Sequence, residues 1–143
     1  LIPKDHPLAQ EPHVNFEQLS TMPMVMLDLP RTREYFTAMF SNRGLTPNIV
    51  HSTRSSEITR ALVAGGFGFS MLNIRPPEFA GAVLPFAILP IKDKIKSPVF
   101  GIITNTVDRR PRIVTAFIDH CISLRDEHAF DDLVVAQPSS LPQ

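Results

Sequence analysis

The amino-acid sequence predicts an α/β domain with a mixed, mainly parallel sheet running from about residue 9 to 105. Three observations carry this expectation. Short apolar runs alternate with amphipathic helical stretches, in the order strand, helix, strand, helix, strand, which calls for parallel strands joined by right-handed crossovers. The segment ITRALVAGGFGFSMLNIRP, residues 58–76, shows one helix-to-strand step in full. There Ile58, Ala61 and Leu62 recur at helical spacing, break at Gly65-Gly66, and give way to alternating Phe67, Phe69 and Met71 ahead of Pro76. Paired glycines stop the helix and let the chain turn where a side chain would obstruct it. Finally, 143 residues at 43% hydrophobic and 20% charged have a globular composition, enough for one domain or one plus part of another.

The elements follow in order. Leu1-Ile2 is strand-like and leads into a proline-punctuated connection, His6-Pro7-Leu8-Ala9. Residues 15–19, NFEQL, have the makings of one helical turn. Met24 to Leu29 is a short apolar run that reads as a buried strand, centred on 24–28. Pro30 stands where a helix can begin, because its missing N–H is not needed there. The helix from Arg31 to Arg43 carries Tyr35, Phe36, Met39 and Phe40 on one stripe and stops at Gly44. A strand near 48–52, a helix over 55–64 and a strand over 67–72 come next. After Pro76-Pro77, Pro85 interrupts the apolar run 82–89 and demotes it to an edge strand or irregular segment. Val99 to Asn105 reads as a better strand. Asp108 is placed to cap a last helix with Pro111 in its first turn, whose broad stripe is Ile113, Val114, Phe117, Ile118, Cys121 and Ile122. From Ala129 a Pro- and Ser-rich tail is expected to be flexible.

Composition narrows the function classes. With 14 basic and 14 acidic residues the formal charge is zero, so the chain alone is a poor match for duplex DNA, which selects a basic face. Its one cysteine, Cys121, has no internal partner and falls on the last helix's apolar stripe, so it is expected to be buried and unreactive. No run reaches the length of a membrane span and no signal-peptide pattern opens the chain, which points to the cytoplasm. The chain begins at Leu1 without Met, as a piece of a longer protein would.

No catalytic residues, metal ligands or cofactor site are expected. The five histidines form no HExxH or other ligand pairing. His120 and Cys121 are neighbours in sequence and therefore leave a helix on different faces, which argues against a dyad. Gly65-Gly66-Phe67-Gly68 follows a helix and precedes a strand, the reverse of a phosphate loop. Binding has better support. In an open α/β sheet, ligands collect where strand ends meet helix N-termini. Two such junctions are legible: Asp28-Leu29-Pro30-Arg31-Thr32 and Ser52-Thr53-Arg54-Ser55-Ser56. Hydroxyls and free amides at a helix start suit a carboxylate or other anion, and they equally suit simple capping. The candidate contacts are Leu29, Pro30, Arg31, Thr32, Thr53, Ser55 and Ser56.

Three stretches then resemble one family. LIPKDHPLA is similar to the segment that crosses between the subdomains of the effector-binding domain of LysR-type transcriptional regulators. PMVMLDLPRTREYFTAMFSNRGLTPNIVHSTRSSEITRALVAGGFGFSMLNIRP resembles the body of its second subdomain, and ALVAGGFGFSML is the most diagnostic part. SPVFGIITNTVDRRPRIVTAFIDHCI resembles the return strand and terminal helix. The resemblance implies a Rossmann-like, periplasmic-binding-protein-like subdomain, with the effector held between two lobes. It implies these parts: 1–8 as crossover, 9–105 as effector subdomain II, 106–128 as the terminal helix of subdomain I, and 129–143 as tail. It also implies a homodimer or homotetramer, and DNA contact only through an N-terminal domain that this chain lacks. A small-molecule effector, an organic anion by the chemistry of the junctions, is the expected partner, with no membrane. The alternatives are a periplasmic-type solute-binding protein of a transporter, which shares the fold, and a small α/β hydrolase or transferase fragment, which no catalytic set supports.

Overall fold

The structure, a computed structural model, describes residues 1–73, 83–95, 101–105 and 111–131. Its centre is β2 (Pro23–Leu27). The run PMVML has no polar face, and Met24, Val25 and Met26 are fully buried, as a strand covered on both sides must be. Pro23 cannot donate to a ladder and occupies the first position, where no donor is needed. β3 (Asn48–Thr53) runs parallel along one edge of β2, with Leu27 opposite Thr53 and an irregularity at Met24/Val25. Along the other edge Phe69 bridges to Met24 in parallel. The Val25 N–H donates to Phe69 O at 2.8 Å and the Phe69 N–H to Pro23 O at 2.9 Å. Ser70 faces the opposite way and exchanges two bonds with Leu1, at 2.7 and 2.9 Å, an antiparallel pairing. β1 (Ile2–Pro3) then pairs antiparallel with β4 (Phe86–Ala87). The strands thus form two two-stranded sheets, β2 with β3 in parallel and β1 with β4 antiparallel, and the Phe69–Ser70 segment links them through these hydrogen bonds.

Two expected strands are shorter than the sequence suggests. The strand read at 67–72 contacts β2 through Phe69, because Gly68 bends the chain at φ 144 immediately before it. Glycine is mandatory there: a Cβ at Gly68 would lie 2.2 Å from the Pro23 carbonyl oxygen. The run read at 82–89 contracts to the two residues of β4, just after Pro85. Of the strand expected over 99–105, residues 101–105 are irregular, and Val99 and Phe100 lie outside the described residues. Pro76, Pro77, Asp108 and the tail beyond 131 also lie outside them.

The helices form where their end signals are. α1 (Phe16–Ser20) starts with a reciprocal capping box: Asn15 Oδ1 accepts from the Gln18 N–H at 2.8 Å and Gln18 Oε1 from the Asn15 N–H at 3.0 Å. Asp93 reaches in from a distant segment to accept the Phe16 N–H at 2.8 Å. α2 (Thr32–Ser41) begins after Arg31, so Pro30 precedes the helix instead of opening it. Its stripe of Phe36, Met39 and Phe40 is buried with Met24, Met26, Phe16, Phe69 and Met71, and the Phe16 ring sits edge-on to Phe40 at 4.9 Å.

α3 (Ser56–Ala64) ends at the paired glycines in a Schellman turn. There the Gly66 N–H donates to Val63 O and the Phe67 N–H to Leu62 O, both at 3.0 Å, with Gly66 at φ 80. The buried face of α3 is Thr59 and Val63, not the Ile58–Ala61 line, and Ile58 is 53% exposed. The sequence holds two overlapping stripes, and Thr59 can turn inward because its hydroxyl donates to Ser55 O at 3.0 Å.

α4 (Arg112–Asp126) forms the expected amphipathic helix, yet none of its residues is buried. Ile113 is 79% and Phe117 59% exposed, and Cys121 is half-buried, not buried as its stripe suggested. A stripe buries its residues only when another element covers it.

Candidate functional site

The two strand-to-helix junctions lie side by side because β2 and β3 are adjacent, parallel and in register at their carboxyl ends. The bond that joins them is short: the Asp28 N–H donates to Thr53 O at 2.7 Å.

At the first junction, Leu29-Pro30-Arg31-Thr32 closes a four-residue turn, with the Thr32 N–H donating to Leu29 O at 3.0 Å. Proline fixes the second position and Arg31 takes φ 65, ψ −12, which is the signature of a type II turn. Glycine or asparagine is the usual choice there, so an arginine in the left-handed region stores strain on the order of 1 kcal/mol. Arg31 is exposed and supplies no side-chain cap to α2. Among the described residues no side chain accepts from the first-turn amides of α2; that of Thr32 is taken by Leu29 O, and those of Arg33 and Glu34 have no side-chain acceptor. Leu29 and Pro30 are exposed, and Thr32 is half-buried.

The second junction is closed by its own chain. Thr53 Oγ1 accepts from the Ser55 N–H at 3.2 Å, and Ser55 Oγ accepts from the Ile58 N–H at 3.3 Å, the N-cap bond. Ser55 Oγ also donates to Glu57 Oε2 at 2.8 Å, and Ser56 Oγ to Glu57 Oε1 at 3.2 Å. The Ser55 hydroxyl, the Glu57 backbone N–H, the Ser56 hydroxyl and Arg60 together hold the Glu57 carboxyl below the usual carboxylate range. The start of α3 already holds an anion, its own glutamate. Of the two helix starts, that of α2 is the open one.

Arg33, Asp28 and Ser52 complete the site and were not among the candidate contacts. Arg33 Nε donates to Asp28 Oδ1 at 3.0 Å, and Arg33 Nη2 donates to Asp28 Oδ2 at 2.8 Å and to Ser52 Oγ at 2.7 Å. This fork pulls the Asp28 carboxyl below its ordinary value, Arg54 adding a smaller effect, and raises the Arg33 guanidinium. The signal was legible: an aspartate leaving a buried strand, with an arginine five residues on in the first turn of the next helix.

A separate cavity of about 510 Å³ lies at the far half of α2, lined by Tyr35, Met39, Arg43, Lys94 and neighbours. Arg43 is committed there: Nη1 donates to Met39 O at 2.7 Å, Nη2 to Lys94 O, and the guanidinium stacks 4.3 Å from the Phe16 ring. Carbonyls at a helix C-terminus already repel negative charge. Among the described residues no group of His, Cys, Asp and Glu could hold a metal ion, and no helix is long and apolar enough to cross a membrane.

The family model described as the LysR substrate binding domain matches residues 1–125. The HTH-type transcriptional regulator cbl of Klebsiella aerogenes is 32% identical over 73 residues, 50% of this chain and 23% of that protein. HinK, a LysR family transcriptional regulator from Pseudomonas aeruginosa, has a solved structure that superposes with a TM-score of 0.60 at 34% identity. That match covers 68% of this chain and 34% of HinK. The BenM effector binding domain, solved with its effector benzoate, superposes over 99% of this chain and 63% of its own at a TM-score of 0.65; at 16% identity it bears on the fold alone. This chain thus spans about a quarter of the curated relative and a third of HinK.

Proposed function

The chain belongs to the LysR substrate binding domain family, and on that premise we propose that it is the second effector subdomain of a LysR-type transcriptional regulator, binding a small organic anion at the paired junctions. Domains of this family are regulatory and not enzymes. The observation that supports this reading best is the start of α2, without a side-chain cap from Arg31, beside the end of β3, with Arg31 and Arg54 exposed. A carboxylate placed there would take the Arg33 and Glu34 amides and the Thr32 hydroxyl, with Leu29 and Pro30 against its apolar part. Thr53, Ser55 and Ser56 would contact the ligand from the opposite junction, the two serines only after Glu57 moves aside. Binding would shift the population of lobe arrangements, and through them a homodimer or homotetramer whose DNA contacts belong to an N-terminal domain outside this chain. The cytoplasm is the compartment this role requires. The transporter alternative shares the fold, but the family model and the curated relative are those of transcription regulators.

The test is a thermal-shift screen of small carboxylates on the full-length protein, benzoate first, followed by titration of variants. Thr32→Ala is expected to weaken binding about fivefold or more, the worth of one charge-assisted hydrogen bond, and Ser55→Ala with Ser56→Ala to weaken it less. Unchanged affinity in both variants, with the fold intact, places the ligand elsewhere.

A further inference from the structure

We propose that Arg33 is the positioning residue of this site, a fork that locks the two junctions into one rigid cradle. Assigning the cradle to the effector rests on the reading above; the lock itself does not. Three contacts carry it. Two arms of the guanidinium grip both oxygens of Asp28, where β2 ends, at 3.0 and 2.8 Å. Nη2 also reaches Ser52 on β3, at 2.7 Å. Residues 28 and 52 are far apart in sequence; Ser52 lies opposite Met26 inside the β2–β3 ladder, and Asp28 lies just past its end. The last rung of that ladder is the bond from the Asp28 N–H to Thr53 O. Without the fork, the first junction would be tied to β3 beyond its strand end by that backbone bond alone.

The pair is partly exposed, 42% for Arg33 and 36% for Asp28, and a point-charge contact at that exposure would matter little. A planar fork is different, because two parallel bonds fix orientation as well as distance. The same geometry divides the labour among the site's cations. Arg33 is neutralised by Asp28 and is not an anion receptor, which leaves that role to Arg31 and Arg54.

The experiment is amide hydrogen exchange on the full-length protein without ligand, comparing wild type with Arg33→Gln, Arg33→Lys, Asp28→Asn and Ser52→Ala. Arg33→Gln and Asp28→Asn are expected to speed exchange about 3- to 10-fold in both 28–33 and 52–56, a local-opening effect, with Met24 to Met26 unchanged. Arg33→Lys should not restore protection, because an ammonium cannot serve the fork. Ser52→Ala should loosen 52–56 alone, and it leaves the Asp28 pair in place if the other variants fold poorly. Faster exchange at one junction only in Arg33→Gln, a uniform rise that includes β2, or full protection in Arg33→Lys would each overturn the proposal. No ligand enters the measurement, so its failure is distinct from failure of the carboxylate titration.

Discussion

A methyl group at Gly68 would sit 2.2 Å from the Pro23 carbonyl oxygen, on a backbone already at φ 144. Pro23 lies on the central strand and has no slack, so neither side can yield. Gly68→Ala is expected to destabilise the fold by about 3 kcal/mol, combining overpacking with backbone strain, as read from urea unfolding. Arg31 presents the converse case. Its φ of 65 serves a turn and not packing, so Arg31→Gly is expected to raise stability by about 1 kcal/mol. The same variant removes an exposed cation beside the open helix start, and carboxylate affinity should fall while the melting temperature rises. Opposed signs in one variant would show that the strain is kept for the site; a loss of stability would show that the turn is not strained.

At the scale of elements, the caps and the Asp28–Arg33 fork decide where helices start and how they are held. Ser55→Ala removes the N-cap of α3 and is expected to cost about 1 kcal/mol, whatever it does to a ligand. The fork gives a pH signature. Arg33 holds the Asp28 carboxyl below its ordinary value, so the folded form binds its proton less readily than the unfolded chain. The contribution is therefore present above the ordinary carboxylate pKa, on the order of 4, and is lost as pH falls through the depressed folded value. A carbon-detected NMR titration should place the Asp28 midpoint below that of an ordinary aspartate. In Arg33→Gln the midpoint should return upward; no movement would mean that the fork does not set it.

For the whole molecule, the outstanding fact is α4, an amphipathic helix with no buried residue. A stripe of Ile113, Phe117 and Ile122 in water is a cause of association. The chain by itself is expected to sediment partly as a self-associated species at tens of micromolar, on the order at which modest interfaces form. Phe117→Glu should shift it toward monomer. A clean monomer for the unaltered chain would refute this. With a formal charge of zero, the same chain is expected to show no appreciable duplex DNA binding at physiological salt; tight, sequence-selective retardation in a gel would overturn that.

The alternation of apolar runs and helices, the glycine stop after α3 and the burial of the run from Met24 to Leu27 were all legible in the sequence, because each rests on local chemistry: periodicity, caps and turns. Local signals could not say which of two overlapping stripes on α3 faces inward, since that depends on what β2 presents. Nor could they bury Cys121, whose covering surface no stripe can supply. The candidate site divides the same way. Thr32, Thr53, Ser55 and Ser56 were legible as helix-start residues, and their nearness follows from a parallel strand pair. That Glu57 already occupies the start of α3, that Arg31 leaves α2 open, and that Arg33 joins Asp28 to Ser52 depended on the fold, because hydrogen bonds between segments distant in sequence exist only once the sheet has set their strands side by side.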